Sequence, residues 1–255
     1  MPITSRNNEL IVSISKLRDK KYRQITGLFS VCGKKLAYEA LSSGVKFKYV
    51  FAAEKCLSAA KELSEKSGAP LYEVTEDVLR KLTDEKSPEG VCAVCVIPDK
   101  KPKIKDGFVL ICDSLSDPGN AGTVLRSARA FGCGTVIFSA GCADIYSEKV
   151  LRGAMGAVFS DNIITGADTL SVISELKNRG FKIYAAALHK NAVPLDFADL
   201  SGNCAVMIGN EGRGLPDEII SAADEALFIE MEPECESLNA AVAASVILYR
   251  RYSGI

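Results

Sequence analysis

No apolar run in this 255-residue sequence approaches the length of a membrane span, so no membrane association is expected. The first eight residues, Met-Pro-Ile-Thr-Ser-Arg-Asn-Asn, lack the charged start and apolar core of a signal peptide, and a cytoplasmic location is expected. Histidine is almost absent, His189 being the only one. The nine cysteines are scattered singly apart from Cys92 and Cys95, whose offset of three on a strand puts the thiols on opposite faces. With no second pair and one histidine, no metal is expected, and the thiols read as reduced core residues rather than a disulfide scaffold. Two phosphate-binding signatures are missing as well. No Gly-x-x-x-x-Gly-Lys-Ser/Thr occurs, and the glycines at 209, 212 and 214 run Gly-x-x-Gly-x-Gly rather than Gly-x-Gly-x-x-Gly, which disfavours a nicotinamide-binding domain.

What is present is an ordinary globular composition, 47% hydrophobic and 25% charged, in a chain long enough for two domains. Net charge is only −1, but residues 1–50 carry ten Lys or Arg against three Asp or Glu, a balance of +7 that leaves −8 for the rest. Lys16, Arg18, Lys20, Lys21 and Arg23 dominate this bias, with Tyr22 among them. Such a cluster is either a solvated helix face or a contact for nucleic-acid phosphates.

Residues 1–97 alternate helix-like and strand-like patterns and read as a small α/β domain; the polar, proline-bounded stretch within 98–106 reads as a linker. From 107 to 255, strand-like runs at Val109–Cys112, Thr135–Phe138, Lys182–Ala187, Ala205–Ile208 and Ala226–Ile229 alternate with helical stretches. That pattern predicts a mostly parallel, helix-covered sheet.

Three separated segments of this second domain carry polar groups at strand-to-helix turns. In Asp117-Pro-Gly-Asn120, proline and glycine make a turn, Asn120 is a good N-cap for a helix over Thr123–Ala130, and Arg126 follows one turn inside. Unpaired N–H groups at such a helix start favour an electron-rich ligand. Gly209-Asn-Glu-Gly-Arg-Gly214 follows an apolar strand, and so much glycine allows close backbone approach. Ser237-Leu-Asn239 opens an apolar helix running to about Tyr249, with Ser237 placed as N-cap and Asn239 in the first turn. Each segment alone is equally an ordinary turn.

Together, in this order, the three segments resemble the signature motifs of the SpoU/TrmH group of RNA 2′-O-ribose methyltransferases, of the SPOUT superfamily. Asn120 with Arg126, Glu211, and Ser237 with Asn239 match those motifs, and Lys149–Ala157 resembles the segment between the first two. The resemblance implies an α/β SPOUT domain with a trefoil knot, preceded by a substrate-binding domain similar to ribosomal RNA-binding proteins. It implies S-adenosylmethionine as cofactor, RNA as substrate, with rRNA ahead of tRNA, and a homodimer. The implied catalytic residues are Asn120, Arg126, Glu211, Ser237 and Asn239. Gly209, Asn210, Gly212, Ile229, Met231, Ser237 and Leu238 would bind cofactor, and Arg129 and Arg152 would join the amino-terminal basic cluster on RNA. The alternatives are a non-catalytic RNA-binding protein that kept the fold and a small-molecule α/β enzyme, the latter disfavoured by the missing dinucleotide fingerprint and the basic amino-terminal half. His189 matches no motif and reads as incidental. Ile229-Glu-Met-Glu-Pro233 departs from the usual Ile-Pro-Met-x-Gly, with glutamates at 230, 232, 234 and 236 that would repel phosphate.

Overall fold

The structure, a computed structural model, describes residues 2–83, 88–99, 102–160, 162–235 and 237–254. Glu236 and, in the expected linker, Lys100 and Lys101 lie outside the described residues. The chain forms two compact units, Met1–Lys100 with Tyr146–Phe159, and Lys101–Ile145 with Ser160–Ile255.

The first unit contains α1 (Glu9–Ser15), α2 (Lys20–Thr26), β1 (Leu28–Cys32), α3 (Lys34–Ser42), β2 (Phe47–Ala52), α4 (Leu57–Ser67), β3 (Leu71–Glu73), α5 (Glu76–Thr83) and β4 (Val91–Val96). Its sheet runs β1-β4-β2-β3, with β4 antiparallel to both neighbours and β2 parallel to β3. Asn8 caps α1 by accepting from the Leu10 and Ile11 N–H groups, and Gly27, at φ +65°, ends α2 in the left-handed conformation. Cys92 and Val94 face a core with Ile11, Val78 and Leu79, while Cys95 lies outside that cluster, as a period of two requires. Cys92 sits opposite Cys32 with their sulfurs 3.8 Å apart, and none of the nine cysteines is in a disulfide. Tyr146 stacks a tilted ring on Phe29 at 4.7 Å, which ties the Tyr146–Phe159 segment to this unit.

The second unit contains β5 (Phe108–Cys112), α6 (Pro118–Ala130), β6 (Thr135–Ser139), then, after α7 (Glu148–Ala154) of the first unit, β7 (Ile163–Ala167), α8 (Thr169–Asn178), β8 (Lys182–Ala186), β9 (Val193–Pro194), β10 (Cys204–Ile208), α9 (Asp217–Ala222), β11 (Glu225–Phe228) and α10 (Ala240–Ser253). The expected parallel sheet is there, seven strands in the order β7-β6-β5-β10-β8-β11-β9 with every pairing parallel. β5, β6 and β10 are buried along their whole length, the reason their sequences are continuous apolar runs rather than alternating ones. Because all strands point one way, the loops leaving β5, β10 and β11 emerge at one edge, and these are the loops bearing the three polar segments.

Two helix starts differ from expectation. α6 begins at Pro118, and its N-cap is Asp117, whose carboxylate accepts from the Asn120 N–H; proline fits the first helical position because it has no N–H to leave unpaired. α10 begins at Ala240, and Asn239 rather than Ser237 caps it, accepting from Ala241 and Val242. Edge strands β7 and β9 were not expected either: β7 is half-exposed and contains Gly166 at φ +72°, and β9 is two residues long and ends in proline.

Candidate functional site

The cap shift at α6 frees the Asn120 side chain. Its Nδ2 donates to Glu211 Oε1 at 2.9 Å, and its Oδ1 accepts from Asn239 Nδ2 at 3.0 Å. Asn239 Oδ1 in turn receives the first N–H groups of α10. One chain of hydrogen bonds therefore joins the loops after β5, β10 and β11, although Asn120 and Asn239 are 119 positions apart.

Glu211 is the hub. Oε1 also accepts from the Asp117 N–H at 3.0 Å, and Oε2 accepts from the Ser116 N–H and hydroxyl, both at 3.2 Å, and from Asn210 Nδ2 at 3.3 Å. Burial pushes the Glu211 carboxyl up, but the Asn120 amide and the Asp117 and Ser116 N–H groups outweigh it and hold the pKa below its ordinary value. Asn210 shapes the loop that presents this carboxylate. Its Oδ1 accepts from Gly212 and Arg213, and its Nδ2 reaches Ser114 O at 2.8 Å. The loop closes through reciprocal Asn210–Gly214 backbone bonds, and a Cβ at Gly209 would sit 2.2 Å from the Gly214 carbonyl carbon, so only glycine fits there.

Beside this network, the ends of β8 and β11 and the start of α10 border an open, mostly apolar cleft. Of the expected cofactor-binding residues, Ile229, Met231, Ser237 and Leu238 line it; Gly209, Asn210 and Gly212 do not, because their loop folds onto the turn after β5. Ala186, Ala187, Leu188, Leu227, Phe228 and Ala243 also line it and were missed; three consecutive alanines from 185 at a strand end, leaving room for a ligand, were the available sign. An apolar cleft at the carboxyl edge of a parallel sheet, beside convergent polar groups, suits a small organic ligand.

Arg126 does not join the hydrogen-bonded chain. Six residues beyond Asn120 on α6, it is turned by about 240° from it, on another face. It is exposed, and among the described residues its side chain makes no hydrogen bond or ion pair. Exposed Arg129 lies on the same helix, and Arg152 pairs with Glu148 at 3.3 Å. In the first unit Lys16, Arg18, Lys20 and Lys21 are exposed, with Lys16 over the Tyr22 ring. Arg23 is not on that surface: it is 4% exposed and donates to the Leu17 and Arg18 carbonyls, holding the turn between α1 and α2 instead of facing solvent phosphate. His189 is exposed beyond β8. Among the described residues no group of three or more His, Cys, Asp or Glu could hold a metal ion, and no helix is long and apolar enough to cross a membrane.

Comparison with known proteins bears on what this arrangement does. The model of the SpoU rRNA Methylase family matches residues 107–249, and that of the MRM3-like substrate binding domain matches residues 8–93. The chain is 33% identical over 248 residues to the 23S rRNA (guanosine(2553)-2'-O)-methyltransferase RlmP of Bacillus subtilis, covering 97% of each. It is 27% identical to the mitochondrial rRNA methyltransferase 3 of Xenopus tropicalis, covering 94% of this chain and 72% of that one. Among solved structures, the AdoMet-bound rRNA methyltransferase from Sinorhizobium meliloti superposes with a TM-score of 0.88 at 27% identity, over 100% of this chain and 98% of that one.

Proposed function

Since the chain belongs to the SpoU rRNA methylase family, we propose that it methylates a ribose 2′-hydroxyl of ribosomal RNA with S-adenosylmethionine as donor. The observation that carries this reading is the Glu211–Asn120–Asn239 chain, which gathers the three motif loops beside one cleft. The apolar, strand-end cleft fits an adenosine and a methionine side chain, and Ile229, Met231, Ser237 and Leu238 would hold them. When bound, the cofactor supplies an electrophilic methyl group on a sulfonium.

The chain's own groups position the acceptor. Asn120 and Asn239, each fixed by partners on both sides, orient the ribose, and such alignment contributes a large part of a displacement rate. Arg126, with no partner of its own among the described residues, anchors the phosphate beside the target sugar and stabilises the developing alkoxide. It does not take the proton, since a guanidinium stays charged.

The reading extends to organisation. Residues 1–97 form the RNA substrate-binding domain, 98–106 a linker and 107–255 the methyltransferase domain with a trefoil knot, a division supported by the two family matches, although the Tyr146–Phe159 segment groups with the first compact unit. Lys16, Arg18, Lys20, Lys21, Arg129 and Arg152 contact RNA. The enzyme works in the cytoplasm as a homodimer. Val242, Val246, Tyr249 and Tyr252 leave an exposed apolar stripe along α10 that supports dimerisation, and Arg126, facing away from Asn120, is then free to complete a partner's site. Incubating purified protein with labelled S-adenosylmethionine and unmodified rRNA or tRNA tests the substrate. Label in rRNA is expected; label in tRNA alone would transfer the reading to tRNA, and label in neither would refute it.

A further inference from the structure

The N–H groups of the turn between β5 and α6 are held by side chains rather than by backbone. Four consecutive N–H groups donate in series: Ser114 to Ser139 Oγ at 2.9 Å, Leu115 to Cys142 Sγ at 3.2 Å, Ser116 to Glu211 Oε2 at 3.2 Å and Asp117 to Glu211 Oε1 at 3.0 Å. Ser114 adopts φ +55°, a left-handed conformation that a residue with a side chain keeps only where its surroundings hold it. Glu211 secures the half of the turn nearest Asn120. Ser139, the last residue of β6, and Cys142, on the loop after it, secure the strained half.

Cys142 does more than accept. Its thiol also donates to the Cys112 carbonyl at 3.1 Å, so one sulfur spans the last residue of β5 and the residue just past the strained position. Around it, Ala143 N–H donates to Leu115 O at 2.9 Å and Cys142 N–H to Ser139 O at 3.1 Å, which fixes the sulfur's own backbone. Cys142 is 7% and Leu115 0% exposed, so water cannot replace the thiol without rearrangement. None of these residues lines the cleft assigned to the cofactor.

We propose that Cys142 is a positioning residue for methyl transfer: its thiol, accepting from Leu115 and donating to Cys112, holds the strained turn that presents Asn120 and the helix bearing Arg126. This rests on the methyltransferase reading. Serine keeps a donor and an acceptor close to the same point, whereas alanine supplies neither and leaves the Leu115 N–H buried without its partner.

The test compares wild type, Cys142→Ala and Cys142→Ser in three measurements. These are single-turnover methylation of unmodified rRNA, S-adenosylmethionine affinity by calorimetry, and amide hydrogen exchange followed by mass spectrometry. Cys142→Ala is expected to slow methyl transfer about tenfold or more with cofactor affinity within about twofold, and to speed exchange in residues 114–120 but not in α8. Cys142→Ser is expected to recover most of the rate. A Cys142→Ala rate equal to wild type overturns the proposal. So does a loss matched by weaker cofactor binding and faster exchange throughout the second unit, or a serine variant no better than alanine. If wild type itself transfers no methyl, the functional reading fails, and local exchange at 114–120 still decides whether the thiol holds the turn.

Discussion

Glu211→Gln keeps the size of the side chain and removes its charge, and the five hydrogen bonds that the carboxylate accepts make the consequence calculable. Oε1 serves Asp117 N–H and Asn120 Nδ2; Oε2 serves the Ser116 N–H and hydroxyl and Asn210 Nδ2. Whichever oxygen becomes an amide NH₂, at least two donors then face a donor. Hydrogen bonds to a charged group contribute about 1.5–3 kcal/mol each, and solvent at this exposed carboxylate brings that nearer about 1 kcal/mol. Loss of two therefore weakens the hold on the turn and Asn120 by about 2 kcal/mol, or about thirtyfold in rate if that geometry is needed only in the transition state. Methyl transfer at saturating cofactor and RNA is expected to fall about thirtyfold, with cofactor affinity within about threefold because Glu211 does not line the cleft. Turnover within about twofold of wild type, or equal losses of turnover and cofactor binding, would refute the reasoning.

The same carboxylate predicts an acid-side response. Its folded-state pKa is lowered, so its stabilisation is complete above the unfolded carboxylate value of about 4.3 and is lost as pH falls through the folded value. Exchange at 114–120, corrected for the intrinsic pH dependence of amide exchange, should show unchanged protection from pH 8 to about 5 and lower protection only below the carboxylate range; a break near neutrality would contradict the assignment. Val246→Glu places a charge in the α10 stripe, and sedimentation should show the mass of one chain where wild type shows two; a wild-type monomer, or a variant that stays dimeric, would remove that stripe as the interface.

Much of the fold is legible in the sequence because a parallel sheet buried on both faces writes its strands as unbroken apolar runs, as at Val109–Cys112 and Ala205–Ile208. β7 and β9 are not, since edge strands need few apolar residues and tolerate Gly166 and Pro194. Cap identities were ambiguous for a local reason. Asp117 and Asn120, like Ser237 and Asn239, are pairs of good capping residues within one turn, and only the folded backbone decides which side chain bends back. The site residues were legible as types, but their bonds were not: Glu211 reaches the Ser116 and Asp117 N–H groups because β10 inserts beside β5, a neighbour 96 positions away in register. Arg23 shows the converse limit. In sequence it is one cation of a cluster, and its inward turn onto the Leu17 and Arg18 carbonyls follows from the α1–α2 corner.

The central claim is that a guanidinium on α6 and the motif loops direct a methyl group to a sugar oxygen. Mapping the methyl in RNA treated with wild type and with Arg126→Ala tests it most directly, by alkaline hydrolysis, which leaves the linkage after a 2′-O-methylated ribose uncut. An alkali-resistant linkage at a defined position is expected with wild type, and loss of most of it with Arg126→Ala while cofactor binding measured by calorimetry survives. A methyl group on a base, or an Arg126→Ala variant that methylates ribose as fast as wild type, would contradict it.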